Sequence, residues 1–181
     1  MRIAQMRVYQ FDELSEKAKE EALQKLRDIN VDYDWWEPYY EGFREELRKI
    51  GIEAEDFGFD LGRGAYLYIN KGYFTDEERF LKLAGVDLRR REAKDALQYG
   101  IELCTKHLGG GDAYNYCDPN NLEDVNICEY LKDVLRGFWE ELRCAYNYLI
   151  SDEAVIETIE ANEYEFTEQG ELFQLKEMSN V

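Results

Sequence analysis

The residues whose types could do chemistry are few and scattered. Cys104 and His107 stand three apart on what reads as one helix, with Cys117 and Cys128 downstream, a donor set that zinc accepts in principle. Structural zinc sites take their ligands in tight pairs, and no second pair occurs, so the spacing argues against a metal. Cys104 and His107 could instead form a thiol nucleophile and its base, but His107 is the only histidine, and Cys104 on a helix reads first as core. Gly62-Arg63-Gly64 and Gly109-Gly110-Gly111-Asp112 have the freedom of phosphate-cradling loops without the Gly-Lys-Ser or Gly-Lys-Thr that would complete one, so they read as a turn and a helix stop. Asp32, Asp34 and Glu37 surround the paired tryptophans, but among 40 acidic residues such neighbours arise by chance, and Asp34 suits a helix cap. No catalytic set, metal or cofactor follows from these residues.

Binding chemistry is better represented. Tyr33, Trp35, Trp36, Tyr39 and Tyr40 form the densest aromatic segment; helical spacing turns Trp36, Tyr40 and Phe43 inward and leaves Trp35 and Tyr39 for a partner. A second aromatic and acidic surface is expected on the loop carrying Asp112, Tyr114, Tyr116, Asp118, Glu123 and Asp124. The chain carries 22 basic and 40 acidic side chains, net −18. Residues 1–110 hold 18 basic and 23 acidic groups, net −5, whereas residues 111–181 hold 4 and 17, net −13. That excess repels phosphates and anionic lipid, disfavouring duplex DNA and membranes as partners. It directs attention to Asp152, Glu153, Glu157, Glu160, Glu163, Glu165 and Glu168, where a basic partner would bind if they share a face. Arg89-Arg90-Arg91 is the one basic cluster and reads as a solvated helix face.

The elements that must position these groups predict an α+β fold, an antiparallel sheet of four to five strands covered by five or six helices, in a single domain over 1–181. A first strand is expected over Ile3–Phe11, then a helix capped by Ser15 that ends near Asn30. A second helix opens near Asp34 with Pro38 in its first turn and stops at Gly51. Strands over Ile52–Asp60 and Ala65–Asn70 flank the Gly62-Arg63-Gly64 turn, and a short helix from Thr75 ends near Gly85. A longer helix is expected from Asp87 through Leu108, and the segment from Asp112 to Asp124 is a loop. A buried helix over Val125–Ile150, a Ser151-capped helix and a hairpin about Thr167–Gly170 complete the chain. No bilayer-spanning run and no signal-peptide pattern occurs, which predicts a cytoplasmic protein whose four cysteines are reduced thiols.

Phe11-Asp12-Glu13-Leu14-Ser15-Glu16-Lys17-Ala18-Lys19, followed by Asp28-Ile29-Asn30-Val31-Asp32-Tyr33-Asp34-Trp35-Trp36-Glu37, resembles a family of small acidic proteins encoded by phages and mobile elements of gut-type Firmicutes. The likeness extends through Gly51-Ile52-Glu53 and Phe59-Asp60-Leu61 and returns at Ile159–Phe166. It implies a phage accessory protein acting in the cytoplasm of an infected bacterial host. Such proteins include anti-CRISPR inhibitors, so the resemblance implies counter-defence against a basic ribonucleoprotein effector, above all Cas9 with its guide RNA. No residue of an inhibitory motif carries over. An enzyme acting on guide RNA, nucleotides or a signalling molecule through His107 or a carboxylate-held metal is the alternative from another class, and an antitoxin-like regulator is a third.

Overall fold

The computed structural model describes residues 7–69, 71–89, 101–104 and 122–173. Within them the fold is α+β, with five α-helices and one antiparallel sheet. The chain forms two compact units: residues 1–35 with 145–181, and residues 36–144.

In the first unit, α1 (Glu16–Leu26) starts where the Ser15 hydroxyl accepts the Ala18 N–H at 3.3 Å, taking up one of the donors that a helix start leaves unpaired. Ser151 does the same for Ala154 at the start of α5 (Asp152–Ala161). Ala18 and Ala22 stand one turn apart on α1; side chains this short let the helix approach Val155 and Ile159 of α5 closely, and all four are buried. Phe11, in a single 3₁₀ turn (Phe11–Glu13), closes the core edge-on against Phe166, with centroids 6.1 Å apart. Within the described residues the expected first strand shows one bridge, Tyr9 with Phe166, and the closing hairpin another, Phe166 with Leu172; part of each lies outside them. Their turn is tight: Thr167 donates to Glu171 and Gly170 to Thr167, with Gly170 at φ 81°. Only glycine fits there, because an added Cβ would stand 2.1 Å from the Ala18 carbonyl oxygen.

The only buried polar residue among those described is Asn30. Its amide donates to the carbonyls of Leu149 and Ala154, 3.1 Å each, and its oxygen accepts the Thr158 hydroxyl at 2.7 Å. Arg27 adds bonds to the Ile150 carbonyl and the Asp152 carboxylate. Helix α1 ends at Leu26, before the expected Asn30, whose side chain instead fixes the corner between α4 and α5.

In the second unit, α2 (Glu37–Lys49) has Trp36 rather than Asp34 at its N-cap position, with Pro38 in the first turn where its missing N–H costs no hydrogen bond. It ends at Gly51, whose φ of 86° and approach to the Asp76 carbonyl exclude a Cβ. Strands β1 (Phe57–Asp60), β2 (Gly64–Ile69) and β3 (Ile101–Cys104) form an antiparallel sheet in the order β1-β2-β3. Among the described residues these three replace the expected four or five, because residues 7–11, Ile52–Glu55 and the described part of the closing hairpin supply single bridges or irregular backbone instead of ladders. Residues 101–104 pair with β2, which overturns the helix expected through them; the rest of that helix after Arg89 lies outside the described residues.

Ala65, Leu67 and Ile69 are buried on one face of β2, the alternation expected of a strand half in the core. Phe57 of β1, Phe43 of α2 and Phe138 of α4 (Leu122–Leu149) form an aromatic cluster within this unit, with Phe43 and Phe138 stacked at 4.1 Å. Ile127, Leu131, Leu135, Phe138 and Leu142 are the buried stripe of α4, at the spacing the sequence predicts. Helix α3 (Glu77–Leu83) is capped by the Asp76 carboxylate and buries Phe80 and Leu81.

Candidate functional site

The acidic C-terminal segment takes its geometry from α5 and the turn after it. Residues 145–173 contain eight carboxylates and no lysine or arginine, and all eight are exposed. Along α5, Glu153, Glu157 and Glu160 recur at helical spacing on the side opposite Val155 and Ile159, so the packing that buries the apolar stripe is what places them in water. Glu163 follows α5 at φ 51°, a left-handed backbone uncommon outside glycine. Asp152 is paired with Arg27 at 2.7 Å and Glu171 with Lys25 at 3.0 Å. Glu153, Glu160, Glu163, Glu165 and Glu168 have no cation among the described residues.

Carboxylates from the start of the chain join them. Asp12 and Glu160 line one shallow depression, and Glu13 and Glu168 another beside Ser15. Between α1 and the closing turn lies a groove of about 340 Å³ in which Lys25 is shared by Glu21 and Glu171. The hydrogen bond to Glu171, then that to Glu21, raises the Lys25 ammonium above its ordinary range, so Lys25 stays charged and offsets part of the acidic lining. Tyr148 is exposed and its hydroxyl meets the Glu157 carboxylate at 3.2 Å. The charge of Glu157 raises that phenol, with the hydrogen bond to it as the next cause. An exposed ring beside a carboxylate is the pairing that receives a lysine or arginine side chain.

No family model, curated protein or solved structure matches the chain. Its surfaces have to be understood from their own chemistry.

Set beside the expectations, the structure brings Glu157, Glu160, Glu163, Glu165 and Glu168 onto the solvent side of one unit. Trp35 is corrected: it is 6% exposed and packs against Tyr146 at 5.8 Å, while Trp36, expected inside, is half-buried against Phe59. The reason is that α2 begins one residue after Trp36, so helical spacing does not govern Trp35. Tyr39 is half-buried in the first turn of α2. Asp112, Tyr114, Tyr116, Asp118 and His107 lie outside the described residues. Glu123 and Asp124, assigned to the loop, belong to the first turn of α4, and their side chains lie outside what is described. Cys128 is buried and disulfide-bonded, contrary to the expectation of reduced thiols, and Cys144 is a free, exposed thiol. Among the described residues no three His, Cys, Asp or Glu side chains converge for a metal ion, and no helix is long and apolar enough to cross a membrane.

Sequence reasoning missed Tyr148, Tyr66 and Tyr68, all exposed. The signal was present for the last two: they alternate with Ala65, Leu67 and Ile69, so burying one set turns the other out.

Proposed function

We propose that this protein is a non-enzymatic binding protein that engages a basic, nucleic-acid-handling protein through the carboxylate surface of α5 and the turn after it. One observation carries the reading: residues 145–173 expose eight carboxylates without one lysine or arginine. A solubilising surface intersperses both signs. Arg27 and Lys25 pair with Asp152 and Glu171, and the six carboxylates left over give this surface a negative excess that concentrates potential, steers an oppositely charged partner and repels phosphates. The resemblance of the N-terminal third to phage-encoded acidic proteins supplies the context: counter-defence against a CRISPR effector, with Cas9 as the partner whose basic channels fit.

Binding of the full chain to Cas9, with and without guide RNA, tests this at low and at high ionic strength. The expected result is association that weakens with salt and with Glu153→Gln, Glu157→Gln, Glu160→Gln and Glu163→Gln combined, together with stoichiometric inhibition of target cleavage. Absence of binding at low salt refutes the Cas9 reading. Turnover of guide RNA or nucleotides would refute the non-enzymatic one.

A further inference from the structure

The second unit has a surface of a different kind. With Asp56 opposite Tyr68 and Gly58 opposite Tyr66, the register puts Asp56, Gly58 and Asp60 of the β1 segment on the same sheet face as Tyr66 and Tyr68, the face opposite Ala65, Leu67 and Ile69. Tyr66 is 46% exposed and Tyr68 37%, and Asp56 and Asp60 are exposed. The Tyr66 ring lies over Gly58: a Cβ there would stand 2.7 to 2.8 Å from its hydroxyl, Cε1 and Cζ. A ring resting on a glycine backbone is fixed in place and keeps part of its surface open to solvent. Glu102 of β3 stands at the register position beyond Tyr68, and no lysine or arginine occupies any of these rows.

We infer that this face is a docking platform for arginine side chains of a basic protein partner, with the guanidinium stacking on Tyr66 and pairing with Asp56. The occupant follows from charge and shape. Carboxylates flanking the rings exclude a phosphate backbone, and a fixed, half-open ring suits a planar cation better than a compact, strongly hydrated ammonium. The inference rests on the reading that the partner is basic, but it names the side chain recognised and a surface separate from α5.

Titration of the full chain with hexa-arginine and hexa-lysine peptides at low ionic strength tests it. Both carry the same charge, and because arginine also pairs bidentately with any carboxylate, the part of the arginine preference that depends on Tyr66 is the readout. Hexa-arginine should bind about two- to five-fold more tightly, the factor a cation–π contact at an exposed site provides. Tyr66→Leu should abolish that preference, Tyr66→Phe should keep it, and Asp56→Asn should weaken both peptides. In the unaltered protein, the Tyr66 and Tyr68 ring resonances should shift on adding hexa-arginine, a readout that does not depend on any variant folding. Equal affinities, a preference that survives Tyr66→Leu, or ring signals that stay still while α5 residues respond would overturn the proposal. The four glutamine substitutions in and just after α5 separate it from the proposed function: they should weaken both peptides and leave the arginine preference intact, whereas a loss confined to these variants would support the α5 surface alone.

Discussion

Replacing Asn30 should cost the first unit more than any surface change, and the cost can be worked from three bonds. Asn30→Ala removes both amide donors and the oxygen that accepts Thr158. The Thr158 hydroxyl keeps a partner, since it also donates to the Ala154 carbonyl at 3.0 Å, but the Leu149 carbonyl loses the Asn30 amide. A net hydrogen bond contributes about 0.5–1.5 kcal/mol, so losing the three should cost the variant roughly 2–4 kcal/mol. Asn30→Asp keeps the shape but turns an acceptor toward two carbonyl oxygens. Burial and those oxygens raise the folded-state pKa of the new carboxyl above its unfolded value of about 3.9. The folded state then holds the proton longer, so the Asp variant is closest to wild type at acidic pH and loses stability as pH rises, with a slope of at most about 1.4 kcal/mol per unit. Urea melts in a Trp36→Phe/Trp139→Phe background, where Trp35 is the remaining tryptophan and packs against Tyr146 in the same unit, give both numbers. A loss below about 0.5 kcal/mol for Asn30→Ala would show that water replaces the amide, refuting the assignment of Asn30 as the tie between α4 and α5.

Gly170→Ala combines a left-handed φ with a collision against the Ala18 carbonyl and should destabilise by at least about 2 kcal/mol, whereas Gly42→Ala in α2, with nothing within 4 Å, should stabilise by about 0.5–1 kcal/mol in the same urea assay. Tyr148 should ionise above the ordinary tyrosine range in an absorbance titration, and Glu157→Gln should bring it down, because the glutamate charge is the main cause of the shift. High salt should bring it partway down in the unaltered protein, since the pair is exposed.

The sequence made much of the helical framework legible because helix signals are local. Ser15 and Ser151 cap where expected, Gly51 and Gly85 take the positive φ that follows a helix, and the α4 stripe is buried as its spacing requires. Strands were harder. Ile3–Phe11 and Ile52–Asp60 have strand composition, yet pairing is decided by partners distant in sequence: Phe57–Asp60 pairs with β2, while among the other described residues of the two segments only Tyr9 and Ile52 form a bridge, one each. The segment containing Ile101–Cys104 shows the same override, since its apolar spacing fits a helix but its backbone pairs with β2. For the candidate site, the exposure of the α5 carboxylates followed from burial of Val155 and Ile159, while Trp35 was misplaced because its environment is set by Tyr146, more than a hundred residues away.

Tyr40 gives β1 a property that matters outside the folded monomer. Because Tyr68 donates to Asp56, the paired rows are 56 with 68 and 58 with 66, and the Phe59 N–H points to the outer edge of the strand. The Tyr40 hydroxyl takes that N–H, and burial, then the neighbouring Tyr66, raises the phenol above its ordinary range. A strand arriving from another chain would find the donor it needs already occupied and an aromatic ring in its path. That contact removes one of the outward donors by which the short, aromatic β1 could add a strand from another chain.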